Sequence, residues 1–400
     1  MTENSEIIRI AARGDGVTAD GRHVPLAAPG DHVLPDGSLV PGPHHAEPAC
    51  PHYPECGGCQ LQHLDEPSFT DFVIDRVRNA LAAQKVDLPE FRPAHVSPAR
   101  SRRRASFRAE RRGRKILFGF NAGQSHRIVD LKDCATLDPA LQALIPPLRA
   151  MIGPMLQEKR AVGVRMTLAD QGIDLLLENI EANGLEAAEG LSRFAEKHRL
   201  ARLSIDDGFG PQTRWEPEPV TVTLGGIPVP LPHNAFLQAT ADGETVLVAA
   251  VLEAIGDAPT AADLFSGLGT FALAVAQGSR KVYAAEASRD AAASLKSASG
   301  RAMRQVFVEH RDLYRRPLTT AELNRFGAII LDPPRAGAEA QIAALAASTA
   351  PRIAYISCNP ATFARDAKTL VDGGYRLDWV RPVGQFRWST HVELAAAFSR

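Results

Sequence analysis

Charge of one sign is missing from this sequence: 45 Lys and Arg stand against 46 Asp and Glu among 400 residues, a net charge of -1. That balance excludes a protein whose whole surface draws in a polyanion, so any nucleic-acid affinity must come from a local patch. Cysteine is scarce as well, with five in all, too few for a disulfide framework, which predicts a reducing compartment. No uncharged apolar run approaches the roughly 20 residues that span a bilayer. The opening MTENSEIIRI has no basic stretch followed by an apolar one, so no secretory signal is read. No internal repeat is visible. The expectation is a soluble, cytoplasmic protein with no membrane partner and no evident obligate protein partner.

What is present is ordinary globular material, 45% hydrophobic and 23% charged, in a length that predicts two or three domains. Residues 1–45 alternate short β-like runs (IIRI, HVPL, SLV) with Gly- and Asp-rich turns. That pattern suggests a very small β module such as part of an OB-like barrel, with a loosely ordered tail as the alternative. Residues 46–64 hold a cysteine cluster, and beyond it Phe72, Val73, Val77 and Leu81 recur at helical spacing. The composition then turns basic in SPARSRRRASFRAERRGRK, and strand-like and helical stretches follow. This mixture predicts an α+β middle domain over 46–232. From 233 to 400 the strand-like runs AADLF, KVYAAE, QVFVEH, GAIILD and RIAYIS alternate with helical segments. Such alternation implies an α/β domain with a mostly parallel sheet, its ligands beyond the carboxyl ends of the strands.

Asp263-Leu264-Phe265-Ser266-Gly267-Leu268-Gly269-Thr270 ends one strand and opens a helix. Gly267 and Gly269 permit a tight turn and close approach of backbone to a ligand. Glu286 ends the next strand, at the position of an acid that bonds ribose hydroxyls. Taken alone, GLGTFA also fits a nicotinamide dinucleotide site or a structural turn. Asp332-Pro333-Pro334-Arg335 follows GAIIL, and its two prolines make a rigid lip of the kind found in methyltransferases that act on nucleic acid bases. Gln238, in NAFLQAT, is positioned to bond the amino acid end of such a cofactor, and Asp312 its adenine amino group. The alternatives are a surface amide and an exposed acid.

Cys358 ends RIAYIS in the same sheet, one strand after the Asp-Pro-Pro element. A lone cysteine is ordinarily structural, but this position suits a nucleophile. Carbon 5 of uracil accepts a methyl group only after a thiolate has added to carbon 6, and a thiolate calls for an electropositive, partly exposed site. A base must then remove the carbon 5 proton. Glu393 in STHVE is the candidate, its pKa raised by partial burial, and His391 is expected to orient it or pack.

Cys50, Cys56 and Cys59 stand with five and two residues between them, and Cys134 is a distant fourth thiol. Four thiolates suit an iron–sulfur cluster or a zinc ion equally well on pattern alone. Arg100, Arg102, Arg103, Arg104, Arg108, Arg111, Arg112, Arg114 and Lys115 form the one dense basic run. Alternate arginines on a strand would line one face and meet phosphates, with Phe107 among them placed to stack on a base. A solvated charged face is the plainer reading.

Together CPHYPECGGCQLQHL, FGFNAGQSHRIVDLKDC, DLFSGLGTFAL, LDPPRAG, YISCNPATFARD and THVE resemble the RNA uracil-5-methyltransferase family, in particular its 23S ribosomal RNA branch that carries an iron–sulfur cluster. The resemblance covers nearly the whole chain. It implies S-adenosylmethionine (SAM) as cofactor, held by Gln238, Phe265, Glu286 and Asp332, with Cys358 as nucleophile and Glu393 as base. It implies a [4Fe-4S] cluster on the four cysteines, and RNA as partner: 23S rRNA, with tRNA as the alternative. It also implies a TRAM-like module over 1–45, a middle domain over 46–232 and a Rossmann-like catalytic domain over 233–400. A base-nitrogen methyltransferase and a non-catalytic RNA-binding factor are the rival readings. Three positions depart from the family pattern: Ser266 stands where Cys is usual, Thr240 where Asn is usual, and Gly384-Gln385-Phe386-Arg387 where Asp-x-Phe-Pro is usual. The last bears on how Glu393 is anchored. The N-terminal module is also short.

Overall fold

The computed structural model describes residues 5–400, so the first four residues of the expected N-terminal module lie outside the described ones. The catalytic sheet runs, in spatial order, Val306–His310, Lys281–Glu286, Thr260–Leu264, Ala328–Leu331, Arg352–Ser357, Glu393–Ser399 and Arg376–Gly384. The first five strands are mutually parallel, and Glu393–Ser399 is inserted antiparallel between its two neighbours. The strand order reverses at Thr260–Leu264, flanked by Lys281–Glu286 on one side and Ala328–Leu331 on the other. Such a reversal opens a crevice beyond the carboxyl ends of the strands. Ala328–Leu331 is buried at every position, as a parallel strand covered on both faces must be.

Leu247, Val251, Phe271 and Leu295, from helices Ala241–Ile255, Thr270–Val275 and Arg289–Arg301, pack on one face. Leu345, Phe363 and Leu370, from Glu339–Ala346 and Pro360–Asp372, pack on the other. A third helix joins that second face. Glu66–Ala83 is capped by Asp65, which accepts from the Ser68 N–H at 2.9 Å, and it buries Phe69, Phe72, Val73, Val77 and Leu81. Each such side chain stabilises by roughly 1.5–3 kcal/mol. The strands Glu90–Phe91 and His95–Val96 then pair with Arg376–Gly384.

These contacts correct the expected boundaries. The helix and short strands assigned to a middle domain over 46–232 belong to the catalytic layer, because the helix's apolar face packs on Pro360–Asp372 and Arg376–Gly384. At the far end, the hairpin Thr221–Leu224 and Ile227–Pro230 buries Val222, Leu224 and Val229 against the same layer, so the catalytic unit begins before 233.

The middle domain proper is a six-stranded sheet in the order Gln212–Trp215, Arg202–Asp206, Gly172–Glu178, Val162–Ala169, Arg104–Arg112, Lys115–Gly119, covered by helices Pro139–Ile152 and Leu185–Lys197. The N-terminal module is five short antiparallel strands around Ile7, Ala27 and Val33. Its scant apolar core is supplemented by the buried Asp31, which accepts from the N–H groups of Ala28 and Gly42, each at 2.7 Å. The fold class is the expected one: an α/β catalytic domain, an α+β middle domain and a small β module. Among the described residues no helix is long and apolar enough to cross a membrane.

Candidate active site

The loop after Thr260–Leu264 turns through three left-handed residues, Phe265 (φ 67°), Gly267 (φ 54°) and Gly269 (φ 92°). A Cβ on Gly269 would come within 2.3 Å of Leu295, whereas one on Gly267 would meet nothing within 4 Å. Gly269 is therefore fixed by packing, and Gly267 opens the backbone to the crevice. A strained non-glycine residue such as Phe265 marks a position held by its surroundings. Its ring faces Tyr314 with centroids 5.6 Å apart. The Glu286 carboxylate accepts from the Gly267 N–H at 2.8 Å and the Ser288 N–H at 2.6 Å, so it shapes the loop as well as facing the crevice. Asp312 accepts from the Tyr314 and Arg315 N–H groups.

Four ionisable side chains meet where the strands end. Ser357 pairs with Leu394 across the antiparallel ladder, so Cys358, one residue further, stands opposite Glu393, one residue earlier. Burial pushes the Glu393 carboxyl up to about 8, helped by Asp332 and opposed by Gln385, Arg104 and Arg335. Burial alone lifts Asp332 to about 7. Asp263, wholly buried, rises to about 8 through desolvation and the neighbouring Asp332 and Glu286. One of its oxygens accepts from the Ala272 N–H at 2.8 Å, and the other is buried without a partner.

The half-buried Cys358 thiol is raised, first by burial and then by Glu393 and Asp332, with Arg335 the one cation pulling it down. The expected electropositive site is thus corrected: carboxyl groups dominate around this thiol, and its resting form is the neutral one. Of the two roles expected for His391, packing is the one the structure has. Its ring accepts from Arg335 at 2.8 Å and sits edge-on to Phe386 rather than bonding Glu393. Burial, then Arg335, Arg102 and Arg76, keep it neutral.

Gln238 is buried, and its carbonyl oxygen accepts from the Gln385 amide at 2.7 Å. The Gln385 carbonyl oxygen accepts in turn from the Ala239 N–H at 2.9 Å, so this side chain ties the segment before Glu393 to the Gln238 segment.

Cys50, Cys56, Cys59 and Cys134 line one cavity of about 440 Å³ that extends to Arg335 and His391. Burial raises the Cys56 thiol and pushes that of Cys59 up to about 12, and both feel Cys134 and Cys50. Among the described residues no three metal-binding side chains stand close enough together to share one ion. The basic run does not form one phosphate-facing row. Arg100, Arg103, Arg112 and Lys115 are ion-paired to Asp133, Glu244, Glu110 and Asp130. Arg102 and Arg104 line the cavity; Arg102 lies over Phe386 within it, and Arg104 over the exposed Phe236. Phe107 is no base-stacking platform: it is 1% exposed, wedged between Phe118 and Phe120.

Asp263 and Arg335 stand within the two motifs, with no role expected of either from the sequence. Asp263 carried a signal, an acid inside the apolar strand AADLF, since a buried acid needs a purpose. Tyr314 carried none, because only the fold brings it to Phe265.

A family model described as tRNA (Uracil-5-)-methyltransferase matches residues 228–400. An uncharacterized RNA methyltransferase of Zymomonas mobilis is 53% identical over 395 residues, spanning 99% of both chains. The 23S rRNA (uracil(1939)-C(5))-methyltransferase RlmD of Thiobacillus denitrificans is 32% identical over 380 residues, 90% of this chain and 87% of that one. Among solved structures, the tRNA (uracil-54, C5)-methyltransferase of Pyrococcus abyssi, in complex with S-adenosyl-L-homocysteine, shares the fold at a TM-score of 0.76 and 21% identity over 99% of each chain. The chain therefore belongs to the RNA uracil-5-methyltransferase family, enzymes that methylate RNA with SAM as donor.

Proposed function

We propose that the enzyme methylates carbon 5 of one uridine in 23S ribosomal RNA through a transient bond between Cys358 and carbon 6 of the base. The observation that carries this reading is the register that sets Cys358 opposite Glu393, beside Asp332. The crevice residues fit SAM: backbone opens at Gly267, Phe265 and Tyr314 supply an aromatic face, and Gln238, Glu286, Asp312 and Asp332 supply polar contacts. SAM bound there supplies an electrophilic methyl group.

Cys358 gives its proton to water, with Arg335 favouring the thiolate, and the sulfur bonds to carbon 6. The ring's electron pair moves to the carbonyl oxygen at carbon 4, making carbon 5 the nucleophile that takes the methyl group. Glu393, as carboxylate, removes the carbon 5 proton. The carbon 5–carbon 6 double bond re-forms and the sulfur leaves. A base buried enough to sit near neutral pKa suits that last step. The base must leave its stack to reach the thiol, so an unpaired or refolded RNA segment is the expected target. The choice of 23S rRNA follows the relative named for that substrate, which matches nearly the whole chain.

The donor set of Cys50, Cys56, Cys59 and Cys134 fits a [4Fe-4S] cluster. The four thiols line one cavity, and Cys56 and Cys59 each feel Cys134 and Cys50; such a set of thiolates suits a cluster or a zinc ion, and the family resemblance favours the cluster. Such a cluster, when bound, would staple the 50–59 loop to the middle domain through Cys134.

The test is direct. Cys358→Ala should abolish methylation, and Glu393→Gln should accumulate a protein–RNA adduct that survives a denaturing gel. Turnover by Cys358→Ala refutes the covalent route. Mapping 5-methyluridine in 23S and transfer RNA, from cells with and without the protein, decides the substrate.

A further inference from the structure

We propose that Asn359, the residue after the nucleophile, is a positioning residue that holds Arg335 across the Cys358–Glu393 pair. The inference rests on the roles given to Cys358 and Glu393 above. Asn359 caps helix Pro360–Asp372, its side-chain oxygen accepting from the Ala361 N–H at 3.1 Å. A backbone N–H can only donate, so this bond fixes which way the amide points and leaves its NH₂ group for a second partner. That group donates to the Arg335 carbonyl at 3.1 Å. The Thr362 hydroxyl stands 3.2 Å from the same oxygen and 3.1 Å from the Asn359 carbonyl, and shares its proton between them. Arg365 donates to the Ala336 carbonyl at 3.1 Å, and the buried Asp366 accepts from the Ala338 N–H at 2.9 Å. A Cβ on Gly337 (φ 81°) would come within 2.6 Å of Arg365 and 2.8 Å of Asp366. The first two turns of the helix that follows Cys358 therefore clasp residues 335 to 338 in order.

Arg335 is thereby tied at both ends. Its backbone is bonded to the residue after Cys358, and its guanidinium donates at 2.8 Å to the ring of His391, two residues before Glu393. Ser357 and Leu394 pair across the ladder, so the arginine runs from the strand end that carries the thiol to the strand end that carries the base. A cation held there favours the thiolate. Burial, then Glu393 and Asp332, raise the thiol, and Arg335 opposes them. The remaining ionisable neighbours carry no charge: burial raises the Tyr314 hydroxyl, and burial and Arg335 keep His391 neutral. Arg335 is itself exposed, where a long side chain on a loose backbone would sample many rotamers, so a fixed carbonyl decides where its charge stands. The motifs LDPPRAG and SCNP, separate in the chain, are one device in the fold.

Asn359→Ser keeps a helix cap but is too short to reach Arg335, and Thr362→Val removes the second donor with the cap intact. The probe is 23S rRNA transcribed with 5-fluorouridine, whose fluorine cannot leave as the proton does, so the Cys358 adduct accumulates without help from Glu393. With the full protein and SAM, adduct formation near neutral pH should fall about fivefold in Asn359→Ser, and by less in Thr362→Val. The pH limb should move upward, with the parent's rate regained above it. Arg335→Met keeps the backbone carbonyl and should show the same shift, and adding Asn359→Ser to it should cost nothing more. The parent's rate and limb in Asn359→Ser, or an undiminished loss when it is added to Arg335→Met, overturns the proposal. If Asn359→Ser does not fold, Thr362→Val decides by the same two criteria. An adduct-free parent, or adduct formed by Cys358→Ala, overturns instead the roles on which the proposal rests.

Discussion

Cys358 and Glu393 face each other across the antiparallel pair Arg352–Ser357 and Glu393–Ser399, and the carboxyl group opposes ionisation of the thiol. Both groups rest in the protonated form near neutral pH, so proton removal gates the reaction. Glu393 acts as carboxylate, and its pKa lies near 8, with Asp332 near 7. The rate of product release should therefore rise with pH from about 6 to about 9, and in Glu393→Gln only the rise set by Cys358 should remain, read in adduct formation. Single-turnover methylation over that range checks it. A limb near the ordinary glutamate value of about 4.3 would sink the assignment of a buried base.

Asp263 bears on stability rather than rate. Its folded pKa, about 8, stands well above the value near 3.9 expected in the unfolded chain. The folded state therefore binds the proton more tightly, and this group's contribution is fully present below about pH 4 and lost as pH rises through about 8. Asp263→Asn keeps an acceptor for the Ala272 N–H but cannot ionise. It should raise the melting temperature at pH 8 relative to the parent and gain far less at pH 5. A gain of the same size at both pH values would show that Asp263 does not carry the buried proton.

Phe107 separates a core role from an RNA role. Sandwiched by Phe118 and Phe120 in the middle-domain core, it should cost about 3–5 kcal/mol of stability when cut to Ala. Chemical denaturation gives the cost, and RNA affinity of the folded fraction should stay at the parent level. A stable Phe107→Ala protein with weakened RNA binding would return this ring to the surface.

The alternation of strand and helix after residue 233 was legible because both periods are local. So were the residues that end strands, Cys358 and Asp332 among them, since every such strand delivers its last residue to the same rim. The boundaries were not legible. Phe72, Val73 and Val77 announced a helix with one apolar face, but nothing in the chain said which sheet that face would cover. The arginines of 100–115 read as one basic patch, yet Asp133, Glu244 and Asp130 neutralise Arg100, Arg103 and Lys115 from distant segments. The sign of the field at Cys358 was hidden for the same reason, because Glu393 and Asp332 reach it only through the folded sheet.

Tyr314 offers a test of the cofactor crevice that touches no group proposed to move protons. Its ring faces Phe265 at 5.6 Å, and its hydroxyl donates to the Gly337 carbonyl at 3.0 Å, so it joins the loop after Thr260–Leu264 to the loop after Asp332-Pro333-Pro334. Two contributions can be separated by substitution. Tyr314→Phe loses the tether, worth about 1 kcal/mol, and keeps the ring. Tyr314→Ala loses both, adding about 0.5–1.5 kcal/mol of aromatic contact. Calorimetric titration with SAM should show affinity falling several-fold for Phe and a further two- to tenfold for Ala, by about 1.4 kcal/mol per tenfold. Equal losses in the two variants would mean that the ring does not face the cofactor, and wild-type affinity in both would move the binding site away from this crevice.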